Sequence, residues 1–199
     1  MEVKLLVLKR KNNINIAGVD EAGRGSLIGP VVAAAVIIEY DIVAKADIRD
    51  SKCMTPLARR RAFDYICRHA ISISVGVVSH HFIDKFNIHN ASLEAMKRAV
   101  MGLYPLPGFL FVDGIYKIPV SIPQECIKKG DKLNKIISAA SIVAKVYRDR
   151  IMIAYHRDYP VYNLAKNKGY PTKEHLEIIK KYGPCPLHRY SFKGVSYGV

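Results

Sequence analysis

Four acids and one short loop carry the residue types on which chemistry could be built. Asp20 and Glu21 are adjacent and close an apolar run that begins at Ile14. Asp113 ends a second apolar run, Phe109 to Val112, and Asp131 stands in Lys129-Gly130-Asp131 just ahead of a long helical pattern. A single acid at a strand end or helix start is normally a cap or turn residue. Four such positions are what an α/β sheet offers when functional side chains gather at its strand ends. Three or four converging carboxylates repel one another and shift upward in pKa unless cations neutralise them. Hard oxygen donors suit Mg²⁺ or Mn²⁺, and two such ions activate a water and stabilise the leaving oxygen of a phosphodiester.

Beside the first pair of acids lies Gly23-Arg24-Gly25. Glycine lets backbone N–H groups approach a ligand closely, and the arginine adds a guanidinium. A dinucleotide-binding loop is the competing reading. It fails because the spacing is G-x-G-x-x-x-G and a β-like run, Val31 to Glu39, follows where a helix would be required.

The elements that must position these residues are legible in outline. Ile14 to Val19 and Val31 to Glu39 read as strands, and the glycine-rich turn between them predicts an antiparallel hairpin. Tyr40 to Thr55 reads as a loop. Thr55-Pro56 predicts an N-cap and first turn, with a helix to about Arg68, Leu57, Phe63, Ile66 and Cys67 inward and Arg59, Arg60 and Arg61 mostly outward. Ala70 to Val78 alternates and predicts a third strand. His80 to Phe86 and Asn90 to Leu103 read as helices, Phe109 to Val112 and Gln124 to Lys128 as strands. The longest helix is expected from Leu133 to Tyr159, with Leu133, Ile136, Ile137, Ala140, Ala144, Tyr147, Ile151 and Ala154 on one stripe. Its Lys145 and Arg148 project and could line a DNA groove or pair with Asp149, while Ser138 and Ser141 read as packing residues. Thr172 predicts the cap of a last helix through Lys181. A hairpin followed by α/β crossovers implies a mixed five-stranded sheet with helices on its faces. One domain over 1–199 is expected, with a helical segment from about 160 packing on it.

Composition narrows the partner. The 199 residues are half apolar, enough for a full core, and carry a net charge of +14 with a pI of about 9.7. That charge favours a polyanionic partner. No run approaches the ~20 apolar residues of a membrane span, and the N-terminal stretch reads as an edge strand or lead-in, not a signal peptide. Four widely spaced cysteines form no CxxC pair, which fits a reducing cytosol and a cytoplasmic location. Cys185 and His188 make a lone C-x2-H, short of the four ligands zinc requires. His80, His81 and His175 have no metal spacing with one another, and His188-Arg189 either contacts a backbone or packs the tail.

The motifs in series have a resemblance. DEAGRG at 20–25, followed by GPVVAAAV at 29–36, resembles the opening of the type 2 ribonucleases H, specifically ribonuclease HII. RDSK at 49–52, VDG at 112–114, KGD at 129–131, SAASIVAKVYRDR at 138–150, KGYPTKEH at 168–175 and GPCPLHRYSF at 183–192 continue it in order. The resemblance implies a ribonuclease H-like fold and two-metal hydrolysis of RNA in RNA–DNA hybrids, with Asp20, Glu21, Asp113 and Asp131 as catalytic metal ligands. It implies cleavage 5′ to a ribonucleotide, including single ribonucleotides in duplex DNA, leaving 3′-hydroxyl and 5′-phosphate ends. It implies that Gly23, Arg24 and Gly25 read the 2′-hydroxyl, that Lys52 touches a phosphate, and that Tyr170 stacks on the following deoxynucleotide sugar. A monomer is implied; a sliding-clamp partner is not readable. Arginine at position 24 separates the chain from the sister type, ribonuclease HIII, which usually has lysine there.

Four positions depart from the pattern: Ser26 replaces a common proline, an expected slight loosening of the turn, Cys53-Met54 replaces Lys-Leu, and Tyr147 replaces a threonine. Outside the enzyme class, the remaining reading is a non-catalytic basic module that holds a duplex. It leaves unexplained why acids that would repel phosphate stand beside the basic loop.

Overall fold

The computed structural model describes residues 14–45, 48 and 54–195. The N-terminal lead-in, Arg49 to Cys53 (with Lys52) and the last four residues lie outside them. Five strands form one sheet in the order β3-β2-β1-β4-β5. These are β1 Ile16–Ala22, β2 Val31–Ile37, β3 Ser72–Val78, β4 Phe109–Asp113 and β5 Gln124–Ile127. β1–β2 and β2–β3 pair antiparallel, while β1–β4 and β4–β5 pair parallel. The mixed sheet is as expected: β1 and β2 form the antiparallel hairpin, the chain returns through the helix His80–Met101 to place β4 parallel beside β1, and β5 follows β4 through residues 114–123, which contain no helix.

Alternation along β1 decides what each face meets. Ala17 and Val19 point to one face and pack with Ala33, Ala95, Met96 and Val100 beneath helix α3, His80–Met101. Ile16 points to the other, with Val36, Phe111, Ile136 and Ile137 beneath the long helix α5, Lys135–Asp158. Close approach is built in with small residues. A Cβ on Gly18 would lie 2.4 Å from the Ile136 backbone, and one on Gly76 would lie 2.0 Å from the Ala95 carbonyl oxygen.

Several local expectations change. β1 does not end before the acids but runs through Asp20 and Glu21 to Ala22, because both residues continue the ladder opposite Ala34 and Ala33. The expected loop after β2 contains a helix, α1, Tyr40–Lys45, which buries Val43. Helix α2, Pro56–His69, is capped by Thr55 as predicted, but only Ala62, Phe63 and Ile66 are buried; Leu57 and Cys67 are exposed. The two helices expected over 80–103 form one element broken at Asn87, whose φ of 65° interrupts it. Leu133 is exposed because it belongs to a separate short helix, α4, Gly130–Leu133. The phase of α5 is set anew by Asn134, whose side chain accepts from the N–H groups of Ile136 and Ile137.

Beyond α5 the chain makes a 3₁₀ turn at Pro160–Tyr162, then α6 Leu164–Asn167 and α7 Lys173–Tyr182, capped by Thr172. This segment packs back on the loop between β1 and β2 and on α5. Tyr162, Leu164, Ile179, Cys185 and Val195 share a buried cluster with Leu27, Ile28 and Met152. The tail is thus seated on the loop that follows the first two acids.

Candidate active site

Parallel pairing brings the first three acids together. Val19 stands opposite Val112 in the β1–β4 ladder, so Asp20 and Asp113 follow in the same register at the C-terminal ends of adjacent strands. Counting by twos from Ile16 and from Phe111, both side chains belong to the face covered by α5. Asp20, Glu21 and Asp113 line a cavity of about 480 Å³ together with Gly23, Arg24, Gly25, Arg59, Ser141, Lys145 and Tyr170.

Asp20 is the most constrained of them. It is 4% exposed. Burial first, then the carboxylates of Glu21 and Asp113, push its pKa well above the ordinary value. The Ser141 hydroxyl and the Glu21 N–H, 2.6 Å from Oδ1, oppose that rise only in part. A divalent ion bound here would relieve the part of that rise that comes from the neighbouring carboxylates. Among the described residues, no three acidic, His or Cys groups close around one ion position.

Asp131 is placed differently. It is buried in α4 and is not on the cavity wall. One link to the site runs through its neighbour: Gly130 N–H donates to Asp113 Oδ1 at 2.7 Å. The Ser138 hydroxyl donates to the Asp131 carbonyl, tying α4 to α5. Three of the four predicted acids line the cavity, and the fourth follows the residue whose N–H holds Asp113. Lys52 lies outside the described residues.

The loop from Gly23 to Pro30 is held from behind by two arginines that are fully buried. Arg148 was expected to project toward solvent or pair with Asp149. Instead it turns inward and donates to the carbonyls of Pro30, Lys168 and Ile28 and to the Ser26 hydroxyl. Asp149 is occupied by Lys145 at 2.8 Å and lies 3.9 Å from Arg59. Arg189 donates to the carbonyls of Gly29 and Arg24, so the tail arginine packs the loop. Gly23 has φ +93°, and a Cβ there would lie 2.0 Å from Arg148 Nε. The glycine is needed for its backbone and for the arginine behind it. Two guanidiniums matched to carbonyls leave net positive charge under this loop, a favourable setting for phosphate. Ser26 takes part in holding the turn. Its hydroxyl accepts from Arg148 at 2.7 Å and donates to the Lys168 carbonyl at 3.2 Å.

Tyr170 reaches the cavity from the far loop. Gly169, at φ +80°, passes under Ile28 and accepts the Leu27 N–H at 2.8 Å. The Tyr170 ring has Lys145 Nζ at 5.3 Å from its centroid and the Arg148 guanidinium at 5.6 Å. Its carbonyl is held by His175 Nδ1 at 3.0 Å.

Sequence reasoning missed Arg59 and Ser141 as site residues. Arg59 was expected to point outward; it lines the cavity because Met54 O accepts its Nη2 at 2.9 Å and Asp149 is nearby. A signal for Ser141 existed. Ser141, Lys145 and Arg148 recur at helical spacing on a helix whose other positions there are mainly apolar, a polar stripe within a buried element. The histidines and cysteines form no metal site among the described residues.

Comparison with known proteins follows the same lines. A family model described as Ribonuclease HII matches residues 17–195. Ribonuclease HII of Geotalea daltonii is 50% identical over 185 residues, 93% of this chain and 85% of that protein. Ribonuclease HII of Syntrophus aciditrophicus is 52% identical over 178 residues, 89% of this chain and 84% of the relative. The crystal structure of ribonuclease H2 from Pyrococcus horikoshii superposes with a TM-score of 0.77 at 27% identity, covering 91% of this chain and 95% of that one.

Proposed function

The chain belongs to the ribonuclease HII family, an endoribonuclease family that hydrolyses RNA in RNA–DNA hybrids, and we propose that Asp20, Glu21, Asp113 and Asp131 carry the reaction in this member. The non-catalytic duplex-binding reading is set aside by that membership. The observation that carries the site assignment is the buried Asp20, flanked by Glu21 and Asp113 and raised in pKa by burial first and then by both. The proposed cofactors are two divalent ions, Mg²⁺ or Mn²⁺, which when bound supply an activated water and stabilise the leaving oxygen.

The chain's own groups do the rest. Ser141 holds the Asp20 carboxylate by a hydrogen bond, and the Gly130 N–H holds Asp113. Arg24, about half exposed and 3.3 Å from Glu21, is placed to exchange that partner for a phosphate when substrate enters. Backbone groups of Gly23 to Gly25 meet the 2′-hydroxyl, the feature by which RNA differs from DNA at a given position. Tyr170 offers an aromatic face to the next sugar. A deoxyribose packs there without burying an unpaired hydroxyl, so the pair of contacts selects a ribonucleotide followed by DNA. Lys145 and Arg59 supply positive charge along the same wall. Cleavage is 5′ to the ribonucleotide, in long hybrids and at single ribonucleotides in duplex DNA, and leaves 3′-hydroxyl and 5′-phosphate ends. The enzyme acts as a cytoplasmic monomer on this reading; no helix among the described residues is long and apolar enough to cross a membrane.

The test uses duplex DNA carrying one ribonucleotide, incubated with Mg²⁺ or Mn²⁺ and then with EDTA. Metal-dependent nicking 5′ to the ribonucleotide is expected. Cutting elsewhere, or only in uniform hybrid, refutes the single-ribonucleotide reading. Tyr170→Ala should lower the cleavage of that substrate more than the cleavage of a uniform hybrid; equal losses would remove Tyr170 from sugar recognition.

A further inference from the structure

The two loops assigned to recognition meet at one buried hydroxyl. Ser26 is 0% exposed and sits one residue after Gly25. Its Oγ donates to the carbonyl of Lys168, two residues before Tyr170, and accepts from Arg148 Nη2. Arg148 Nη1 donates to that same Lys168 carbonyl at 2.8 Å. The three groups form a closed ring of hydrogen bonds in which each position limits the other two. A serine hydroxyl has one proton to give, and here the Lys168 carbonyl takes it.

The contact is also tight. A Cβ on Gly169 would stand 2.8 Å from Ser26 Oγ and 2.5 Å from Ile28 Cγ2. Lys168 and Gly169 are both left-handed, at φ 53° and φ 80°. Two consecutive residues of this kind hold one conformation only when neighbours fix them. The Lys168 carbonyl, with its two bonds, is where that fixing occurs.

We infer that Ser26 is a specificity-positioning residue: its hydroxyl sets the placement of Tyr170 relative to the Gly23–Gly25 loop, so that the two sugars at an RNA-to-DNA junction are read as a unit. The inference rests on the recognition roles proposed above for those residues. Ser26 touches no substrate; it acts through Tyr170. Removing the hydroxyl leaves Lys168 with one bond instead of two and frees Arg148 Nη2 to move toward Ile28. The catalytic acids are untouched, because neither Ser26 nor Lys168 contacts them in the hydrogen bonds of the site.

The experiment is a substrate-resolved double-mutant cycle with the full chain. kcat/KM is measured for wild type, Ser26→Ala, Tyr170→Ala and the double variant on two substrates: duplex DNA with one ribonucleotide, and a uniform RNA–DNA hybrid. Ser26→Ala is expected to lose about tenfold on the first substrate, equivalent to ~1.4 kcal/mol, and less than about threefold on the second. In the Tyr170→Ala background the Ser26 effect should shrink to less than about twofold. Ser26→Cys, nearly isosteric but a weaker donor and acceptor, should fall between serine and alanine and keeps the test available if the alanine variant folds poorly. Equal losses on both substrates, fully multiplicative effects, or no loss at all would each overturn the inference. If Tyr170→Ala itself leaves substrate preference unchanged, the recognition reading fails as well; if Tyr170→Ala changes preference and Ser26→Ala does not, only the role of Ser26 is lost.

Discussion

The Nε2 atoms of His175 and His188 face each other at 3.3 Å, and both rings are fully buried. Their neighbours fix the proton positions. The Cys185 N–H, which can only donate, points at His188 Nδ1 at 2.9 Å, and the Tyr170 carbonyl, which can only accept, faces His175 Nδ1. The Cys185 carbonyl also lies 3.3 Å from His188 Nδ1, but the N–H is the nearer partner; with Nδ1 as acceptor, the proton between the rings belongs to His188 Nε2 and both imidazoles are neutral. This one-way chain runs from the tail to the backbone of Tyr170.

Acid should weaken the fold through this pair. Burial, then the neighbouring His175, lowers the His188 pKa from about 6.5 to about 4. A histidine depressed in the native state takes up its proton first in the unfolded chain. Stability is therefore full above pH 6.5 and falls as pH drops toward 4, by up to about 3 kcal/mol for this group. Denaturant melts from pH 7 to pH 4 should show the slope, and His188→Phe should flatten part of it. A wild-type profile with no loss in that window contradicts the assignment.

Asp20→Asn should abolish cleavage while raising the stability of the metal-free protein. The wild-type carboxylate is disfavoured by burial and by Glu21 and Asp113, so neutralising it relieves repulsion. A gain of about 1 kcal/mol would read as roughly 2–4 °C in a chain of this length. Thermal melts with and without Mg²⁺ check it: the ion should stabilise the wild type and do so less in the variant. Wild-type turnover by Asp20→Asn would remove Asp20 from the metal site.

Gly23→Ala and Gly25→Ala should separate. At Gly23 the new methyl meets Arg148 Nε at 2.0 Å on a backbone with φ +93°, so the variant should lose about 2–4 kcal/mol of stability along with activity. Gly25 has nothing within 4 Å of a built Cβ. Its variant should melt within about 0.5 kcal/mol of wild type, and any loss of cleavage then reports on substrate approach. Similar melting for both variants would contradict the role given to Arg148.

Gly18→Ala tests the scaffold. Its methyl would stand 2.4 Å from the carbonyl of Ile136, where backbone on both sides leaves no flexible tip to yield. A loss above about 3 kcal/mol in chemical denaturation is expected. A near-neutral change would mean that α5 does not sit this close to β1.

The sequence by itself determined the strand order's raw material, the antiparallel hairpin, the caps at Thr55 and Thr172, and the acids and glycines of the site. These are local properties: alternation, helical period, cap chemistry and turn residues act over a few positions. What only the tertiary structure decided was direction and proximity. Nothing local says that β4 lies parallel beside β1, which is what brings Asp113 to Asp20, or that the Gly130 N–H, next to Asp131, reaches Asp113. Leu57 and Leu133 are apolar yet exposed, while Arg148 and Arg189 are charged yet buried. The sequence pattern places Leu57, Leu133 and Arg148 the wrong way round, and for Arg189 it leaves packing as one of two readings. The reason is that a buried guanidinium is tolerable only where distant carbonyls converge on it, and those carbonyls come from residues 24–30 and 168. Sequence distance hides that convergence; the fold creates it, and with it the loop geometry on which recognition rests.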